Sequence, residues 1–487
     1  MVAIFTGAGA GFERGSGAVL GGMGLLGQAA LGRSGEQVML NAANGNLMIT
    51  QRDEFLVGRG PDAAISRTYN SLGNFSDENG DNWRQSTARK LTWHTGTFGV
   101  AGSAVKHHLG DGSEKLYWFD GANYSSNEGD GAYDRLVRHA DHWMWSDGGG
   151  QITERYSDHQ GTYSRLTEQV DASGNRLSFE YVGDHVSRVT TADGGWVQYQ
   201  WSGANITAIV TGARDLVTGA DRQLTRTRYG YDGQNRLTSV TVDLSPEDSS
   251  IADGRAYTTS YAYHGDSRLV ASVAQTDGSR LEIGYDGQGR VNSLRETVAE
   301  GVARTTTVAY GAGSTTITDA GGQATTLEYN PDGALRRIVS PPAAWGAAQQ
   351  IVQFAYNASG DLVSVTDAGG ATTTYTHDAR GNVLRETSPL GHPITRTYGA
   401  RNELLTETRI ASGAETNLLK NSSLASGTEG WHLYNSTRVA GPGDPPFVFR
   451  QLDASGDSNS STPMMLAPEA STVKLSYMIK PGAPYQQ

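Results

Sequence analysis

Apolar and polar residues alternate with a period of two along most of this chain, in short runs broken by Gly, Asn and Asp. That periodicity is the signature of β-strands with one buried face. Gln37-Val38-Met39-Leu40 and Leu47-Met48-Ile49-Thr50 flank Asn44-Gly45, which predicts a hairpin. Phe55-Leu56-Val57 and Ala64 to Tyr69 flank a Gly60-Pro61-Asp62 turn in the same way. Trp93, Tyr117, Trp118, Trp143 and Trp145 mark further strands, with Trp143 and Trp145 on one side of theirs. These aromatics read as core in preference to a sugar platform, because large rings dominate β cores.

From about Asp171 to Thr408 the pattern becomes a repeat. One copy runs Thr227-Arg-Tyr-Gly-Tyr231-Asp232-Gly-Gln-Asn-Arg-Leu237-Thr-Ser-Val240. Others centre on Tyr181, Tyr263, Tyr285-Asp286, Tyr329, Tyr356, Tyr375 with Asp378, and Tyr398. An alternating strand ends in an aromatic, Asp or Asn with Gly supplies a tight turn, and a strand opened by Leu or Val returns. One such hairpin cannot bury its apolar face alone. Successive hairpins that pair side by side form one antiparallel sheet, and twist makes it curl. The expected fold is therefore all-β, a curled antiparallel sheet of repeated hairpins anchored by those tyrosines and aspartates.

Composition narrows the functions. Among 487 residues there is no Cys, so disulfides, thiol nucleophiles and Cys-ligated metals are excluded. The net charge of −12 argues against electrostatic attraction to nucleic acid. No run of 18 apolar residues occurs, so no membrane span is expected. Between Lys115 and Lys420 every cation is Arg, which suits an extended sheet surface and also fits a genome rich in Arg codons. Residues 1–35 are dense in glycine, without a basic segment for a secretory signal and without the Gly-Lys-Ser/Thr of a phosphate loop, and a flexible leader is expected there. Seven of the fourteen prolines fall between Pro442 and Pro484, where the repeat has stopped.

The Tyr-Asp…Gly-Arg-Leu pattern resembles the YD repeats of the Rhs family. Asn41-Ala-Ala-Asn44-Gly45-Asn46-Leu47 and Ser66-Arg67-Thr68-Tyr69-Asn70-Ser71 are similar to the segment that introduces shells in bacterial members. Asn417 to Leu424 with Gly430-Trp431, and Thr472 to Gly482, resemble parts of a galactose-binding-like jelly roll, with only about half its strands before Gln487. The expected organisation is a leader at 1–35, an N-terminal β region at 36–170, a repeat array at 171–411 and an incomplete carbohydrate-binding-like sandwich at 417–487. The resemblance implies a non-catalytic shell segment of a secreted or cell-surface protein. Its partner would be its own C-terminal toxin cargo beyond residue 487, or secretion machinery. The alternative is an adhesin presenting the jelly roll to glycans, with Trp431 as a contact.

Catalytic constellations are sparse. No Gly-x-Ser-x-Gly elbow or His-Glu-x-x-His helix is present. His107-His108 and His139-x-x-His142 are read as surface histidines on strands, not as ligands, for want of a third donor. Asp77-Glu-Asn79-Gly-Asp81 has the spacing of a calcium loop but carries Asn82 and Ala88 where Gly and Glu belong. No cofactor, metal or catalytic residue is expected.

Overall fold

The computed structural model describes residues 2–7, 9–12, 29–33, 35–73, 79–126, 134–148, 152–159, 162–215, 217–245, 252–299, 301–344, 346–399 and 402–409, with the backbone of 436–440 and 447–451. Every regular element among them is a strand, so no helix of the structure is long and apolar enough to cross a membrane. The chain divides into two units, residues 1–409 and 410–487.

Two sheets build the first unit. The smaller contains β1 (Ala3–Phe5), β2 (Ala30–Leu31), β3 (Glu36–Asn41), β4 (Leu47–Leu56), β5 (Ala63–Asn70) and β6 (Trp83–Gln85), in the order β1-β3-β4-β5-β6 with β2 also on β3. The Asn44-Gly45 hairpin joins β3 to β4, with Gly45 at φ +82°, a left-handed conformation that suits glycine. The expected flexible leader is corrected at its start. Ala3–Phe5 pairs in parallel with Met39–Asn41, and Ala3 and Phe5 are fully buried. Ala3, Ile4 and Phe5 join the buried apolar cluster and Val2 packs against it, which supplies the driving force for the pairing.

The larger sheet begins with β7 (Lys90–Thr95), β8 (Ala104–His108), β9 (Glu114–Phe119), β10 (Tyr124–Ser125), β11 (Arg135–Arg138), β12 (His142–Ser146), β13 (Ile152–His159), β14 (Tyr163–Asp171) and β15 (Arg176–Val182). Each pairs antiparallel with the next. One edge of β14 is shared. Its Ser164 and Arg165 pair with Leu91 and Lys90 of β7, and its Glu168 to Val170 pair with Ser178 to Arg176 of β15. The first turn of the sheet thus closes on itself as a barrel from β7 to β14. The rest runs on from the seam as a ribbon of hairpins as far as Leu404–Arg409. Closure removes the open edge that β7 would otherwise present. Residues 36–170, expected as one region, are split: Glu36 to Gln85 belong to the small sheet, and Lys90 onward to the ribbon's sheet.

Inside the barrel, His107, Tyr117, Tyr156 and Leu166 are fully buried, and Trp143 nearly so. Trp93 and Trp118 are instead about half exposed, a correction to their reading as core. Trp118 follows buried Tyr117, so alternation turns it outward. His107 is likewise not a surface histidine. Burial, then the charges of Arg89 and Lys115, push its pKa well down.

The small sheet lies against the ribbon. Glu54 accepts from Thr211, Thr225 and Thr227, the Val291 amide donates to the Gly45 carbonyl at 3.1 Å, and Thr315 Oγ1 donates to the Ala42 carbonyl at 2.6 Å. Along that stretch the ribbon's inward residues are buried, from Leu177 to Ile338 and Phe354. In the next hairpins they are only half-buried, as at Leu362, Val365 and Ile394. In the second unit, Ser436–Ala440 pairs antiparallel with Phe447–Gln451. The remainder of the expected jelly roll, Trp431 included, lies outside the described residues.

Candidate functional site: the stitched ribbon and the sheet that docks on it

Within each hairpin the strands are well laddered, but between hairpins the ladder stops early. It ends with Ser272 opposite Glu282, Arg337 opposite Gln353, and Arg385 opposite Thr395. Two residues before each first partner stands the residue that opens the return strand: Val270, Leu335 or Val383. Three residues after each second partner stands a tyrosine: Tyr285, Tyr356 or Tyr398. The three hydroxyls donate to those three carbonyls at 2.9, 2.8 and 3.2 Å. Tyr181 to Leu166, Tyr263 to Leu237 and Tyr310 to Val291 repeat the bond at 2.6, 2.7 and 2.7 Å. A phenol thus supplies the hydrogen bond that the backbone ladder leaves unmade.

A β-bulge sets up this geometry. The register shifts immediately before Tyr181, Tyr231, Tyr263, Tyr285, Tyr329, Tyr356 and Tyr398. Tyr285 faces Val291 and Gly284 faces Ser293, so Asn292 is the extra residue on the return strand. Bulges bend a strand and re-aim its side chains. Tyr231 and Tyr329 occupy the same bulge position, with their rings against the inner apolar cluster.

Tyr375 does not. The shift falls between Thr376 and His377, and His377 faces Val383. His377 therefore holds the anchor position of that hairpin, and Tyr375 lies two residues earlier, where Tyr229 and Tyr261 sit in theirs. Sequence reading also missed an anchor. Trp201 follows a bulge, and its indole N–H donates to the Val186 carbonyl at 2.8 Å. No Tyr-Asp pair marked that hairpin; an aromatic three residues past the last alternating partner was the available signal.

The aspartates hold the turns. Asp286 accepts from the amides of Gln288 and Arg290 at 2.9 and 3.0 Å and from Arg290 Nε at 2.8 Å. The Arg290 guanidinium also lies 4.3 Å from the Tyr310 ring centroid, on the next anchor. Asp232, Arg236 and Tyr263 repeat the set, at 2.7 Å for the Asp232–Arg236 bond and 4.8 Å to the ring. Burial pushes the Asp286 carboxyl up, but the Arg290 amide and guanidinium together hold it below its ordinary value. At Asp378 an asparagine takes the place after the Gly, Asn382 donating at 2.9 Å, and the cation is Arg380 before it, 3.9 Å from the carboxylate.

The two N-terminal motifs dock the small sheet. Arg67 is 2% exposed and reaches Asp53, Glu36 at 3.3 Å, and the Tyr261 hydroxyl of the ribbon at 2.7 Å. Tyr261 in turn donates to Glu36, and Tyr229 to Asp53 at 2.6 Å. Tyr69 donates to the Arg268 carbonyl at 2.7 Å. Asn46 and Asn70 bond each other at 2.7 Å, and Asn41 and Asn44 hold the carbonyls of Gly7 and Gly9. A Cβ on Gly45 would stand 2.4 Å from the Arg290 Cβ. Burying charges is costly unless they are paired, and here Arg67 pairs with Glu36 and Asp53 inside the small sheet while ribbon hydroxyls bond all three. Among the described residues Glu54 is held by threonine hydroxyls alone. Asp81 accepts from the amides of Trp83 and Leu237 at 3.0 and 3.2 Å. Burial nevertheless raises its carboxyl to about 6.

None of these groups is arranged as a metal site, and no cluster of three His, Asp or Glu among the described residues could hold an ion. Asp77 and Glu78 of the calcium-like loop lie outside the described residues. The His139 and His142 rings stack at 4.7 Å, and His142 bonds Asp141 at 2.7 Å.

Residues 356–393 match the RHS Repeat family. They span the Tyr356 anchor, its bulge and the hairpin after it. The chain thus carries an Rhs/YD-repeat segment. No curated protein matches it. Among solved structures, the TcdB2-TccC3-Cdc42 complex is similar at 11% identity and TM-score 0.41, over 77% of this chain and 26% of that one. A Photorhabdus luminescens Tc holotoxin pore is similar at 11% identity and TM-score 0.37, over 75% and 26%. A porin-like protein from Bacteroides uniformis ATCC 8492 aligns at 11% identity and TM-score 0.16, over 57% and 92%. The chain spans about a quarter of the length of the two toxin chains.

Two expected outcomes follow from the geometry. Tyr285→Phe keeps the ring but leaves the Val270 carbonyl without its donor, and should lower unfolding free energy by about 1–2 kcal/mol in a denaturant titration. Tyr375→Phe, at a strand position two residues before its hairpin's anchor, serves as the control. Asp81, at about 6 when folded against an ordinary 3.8, keeps a proton that the unfolded chain releases. Its contribution to stability is therefore full below about pH 4 and declines by about 3 kcal/mol as pH rises to 6, then stays level. Comparing the native chain with Asp81→Asn at pH 4, 5, 6 and 7 should show that difference, and a difference independent of pH would refute it.

Proposed function

We propose that this chain is a non-catalytic wall segment that encloses a cargo chain, acting outside the cell in bacterial competition. The observation that carries the reading is the change along the ribbon's inner face. As far as Thr315 the small sheet covers it. Inward residues stay buried as far as Phe354, whereas Leu362 and Val365 at the margin of that cluster, and Ile394 after them, are only half-buried. A half-covered apolar wall suits an extended, unfolded segment, whose side chains it can shield from water without presenting a shaped pocket. The laddered strands, the tyrosine bonds between hairpins and the barrel seam would keep proteases out, because they leave few unpaired backbone segments to cut. The cargo itself is expected C-terminal to the wall, as the resemblance of the repeats to the Rhs family implies.

In a chain that carries such a cargo after the ribbon, the cargo segment should resist protease while the wall is folded. It should be cut at the rate of an unfolded peptide once the wall is opened with denaturant. Cleavage equally fast under both conditions would contradict enclosure.

A further inference from the structure

The barrel seam carries an electrostatic conflict that the shell reading does not use. Lys90 stands directly opposite Arg165 where β7 meets β14. Like charges so placed destabilise a sheet. Among the described residues neither cation has a carboxylate within ion-pair distance. Each is instead held by weaker contacts. Lys90 Nζ lies 5.7 Å from the Tyr163 ring centroid. Arg165 lies 4.1 Å from that of Tyr181 and donates to the Gly183 carbonyl at 2.7 Å. Cation–π contacts offset part of the repulsion but leave both charges uncompensated.

A cavity of about 460 Å³ opens at this point, with Lys90, Arg165, Tyr163, Tyr181, His185 and Trp201 in its wall. That is the size of a small-ligand site. The other charged groups there are already engaged. Arg89 pairs with Glu154 at 2.9 Å, and Asp184 accepts from His159 at 2.6 Å and from Tyr163 at 3.4 Å. The His185 ring stacks on Trp201 at 4.2 Å, which makes one side of the cavity a flat aromatic surface. Two unneutralised cations beside flat rings match a ligand with an oxyanion on a ring-shaped body.

We propose that this cavity binds a small acidic sugar, with its carboxylate or phosphate taken by Lys90 and Arg165 and its ring lying along the aromatic wall. The anion relieves the repulsion across the seam, so binding and barrel stability are linked.

Calorimetric titration of the whole chain with glucuronate, glucose 6-phosphate, glucose and inorganic phosphate tests this. Either acidic sugar binding more tightly than both glucose and phosphate supports the site, and the tighter of the two assigns carboxylate or phosphate. Lys90→Gln and Arg165→Gln should each weaken that binding by about tenfold or more. Without ligand, Lys90→Gln should raise the melting temperature, a gain that a merely structural lysine would not give. Absence of binding by both acidic sugars, equal binding of glucose, or phosphate binding as tightly as the sugars would overturn the proposal. So would affinity unchanged in both variants.

Discussion

A hydroxyl bonded to a carbonyl at the point where a backbone ladder stops holds this ribbon together. Each hairpin is self-sufficient in its own hydrogen bonds, yet too small to bury its apolar face. Its stability comes from the neighbours, and contact with the neighbours is limited by the bulge that bends each return strand. The bulge moves the opening residue of that strand, such as Val270 or Leu335, out of register with the next hairpin. A tyrosine three residues past the last pair spans the gap. The same ring fills space on the inner face. One side chain therefore closes the ladder and packs the wall, and indole can replace phenol at Trp201 because only a donor on a flat apolar body is required.

The turn and the stitch are coupled through Arg236 and Arg290. Each guanidinium bonds the aspartate of its own turn and lies over the tyrosine of the next hairpin. Turn geometry, charge and inter-hairpin contact are thereby one unit. This explains the use of arginine in the array better than codon bias does at these two positions, since a lysine could not bond the carboxylate edge-on and stack at once. The docked sheet follows a different logic. Its contacts with the ribbon at Glu36, Asp53, Glu54 and Arg67 are buried and polar, and their hydrogen bonds to Tyr261, Tyr229 and three threonines fix one docking register where an apolar surface would allow sliding.

Much of this was legible in the sequence, for identifiable reasons. The hairpins show because alternation and Asp-Gly turns are local, and the tyrosines show because they recur. The roles of Asn41, Asn44, Arg67 and Asn70 were visible only as a resemblance, since their partners lie at Gly7, Gly9, Tyr261 and Asp111, far along the chain. Ala3–Phe5 was hidden by the glycines beside it. Spacing put His377 at an anchor position, but Tyr375 was read as an anchor beside it, because alternation alone does not show the bulge that decides which of the two faces the gap. The seam between β7 and β14 has no local signature, because it joins residues about seventy positions apart.

The most direct test is whether successive hairpins lie side by side at the spacing the stitch requires. The chain has no cysteine, so pairs introduced at Arg337 with Gln353 and at Arg385 with Thr395 can be probed with a short thiol-to-thiol cross-linker. Both pairs sit at the last rung before a tyrosine bond. The account predicts rapid cross-linking of each pair in the folded chain, and none between cysteines placed at Arg337 and Thr395. Failure of either adjacent pair to cross-link while the chain remains folded would show that the hairpins do not form one wall.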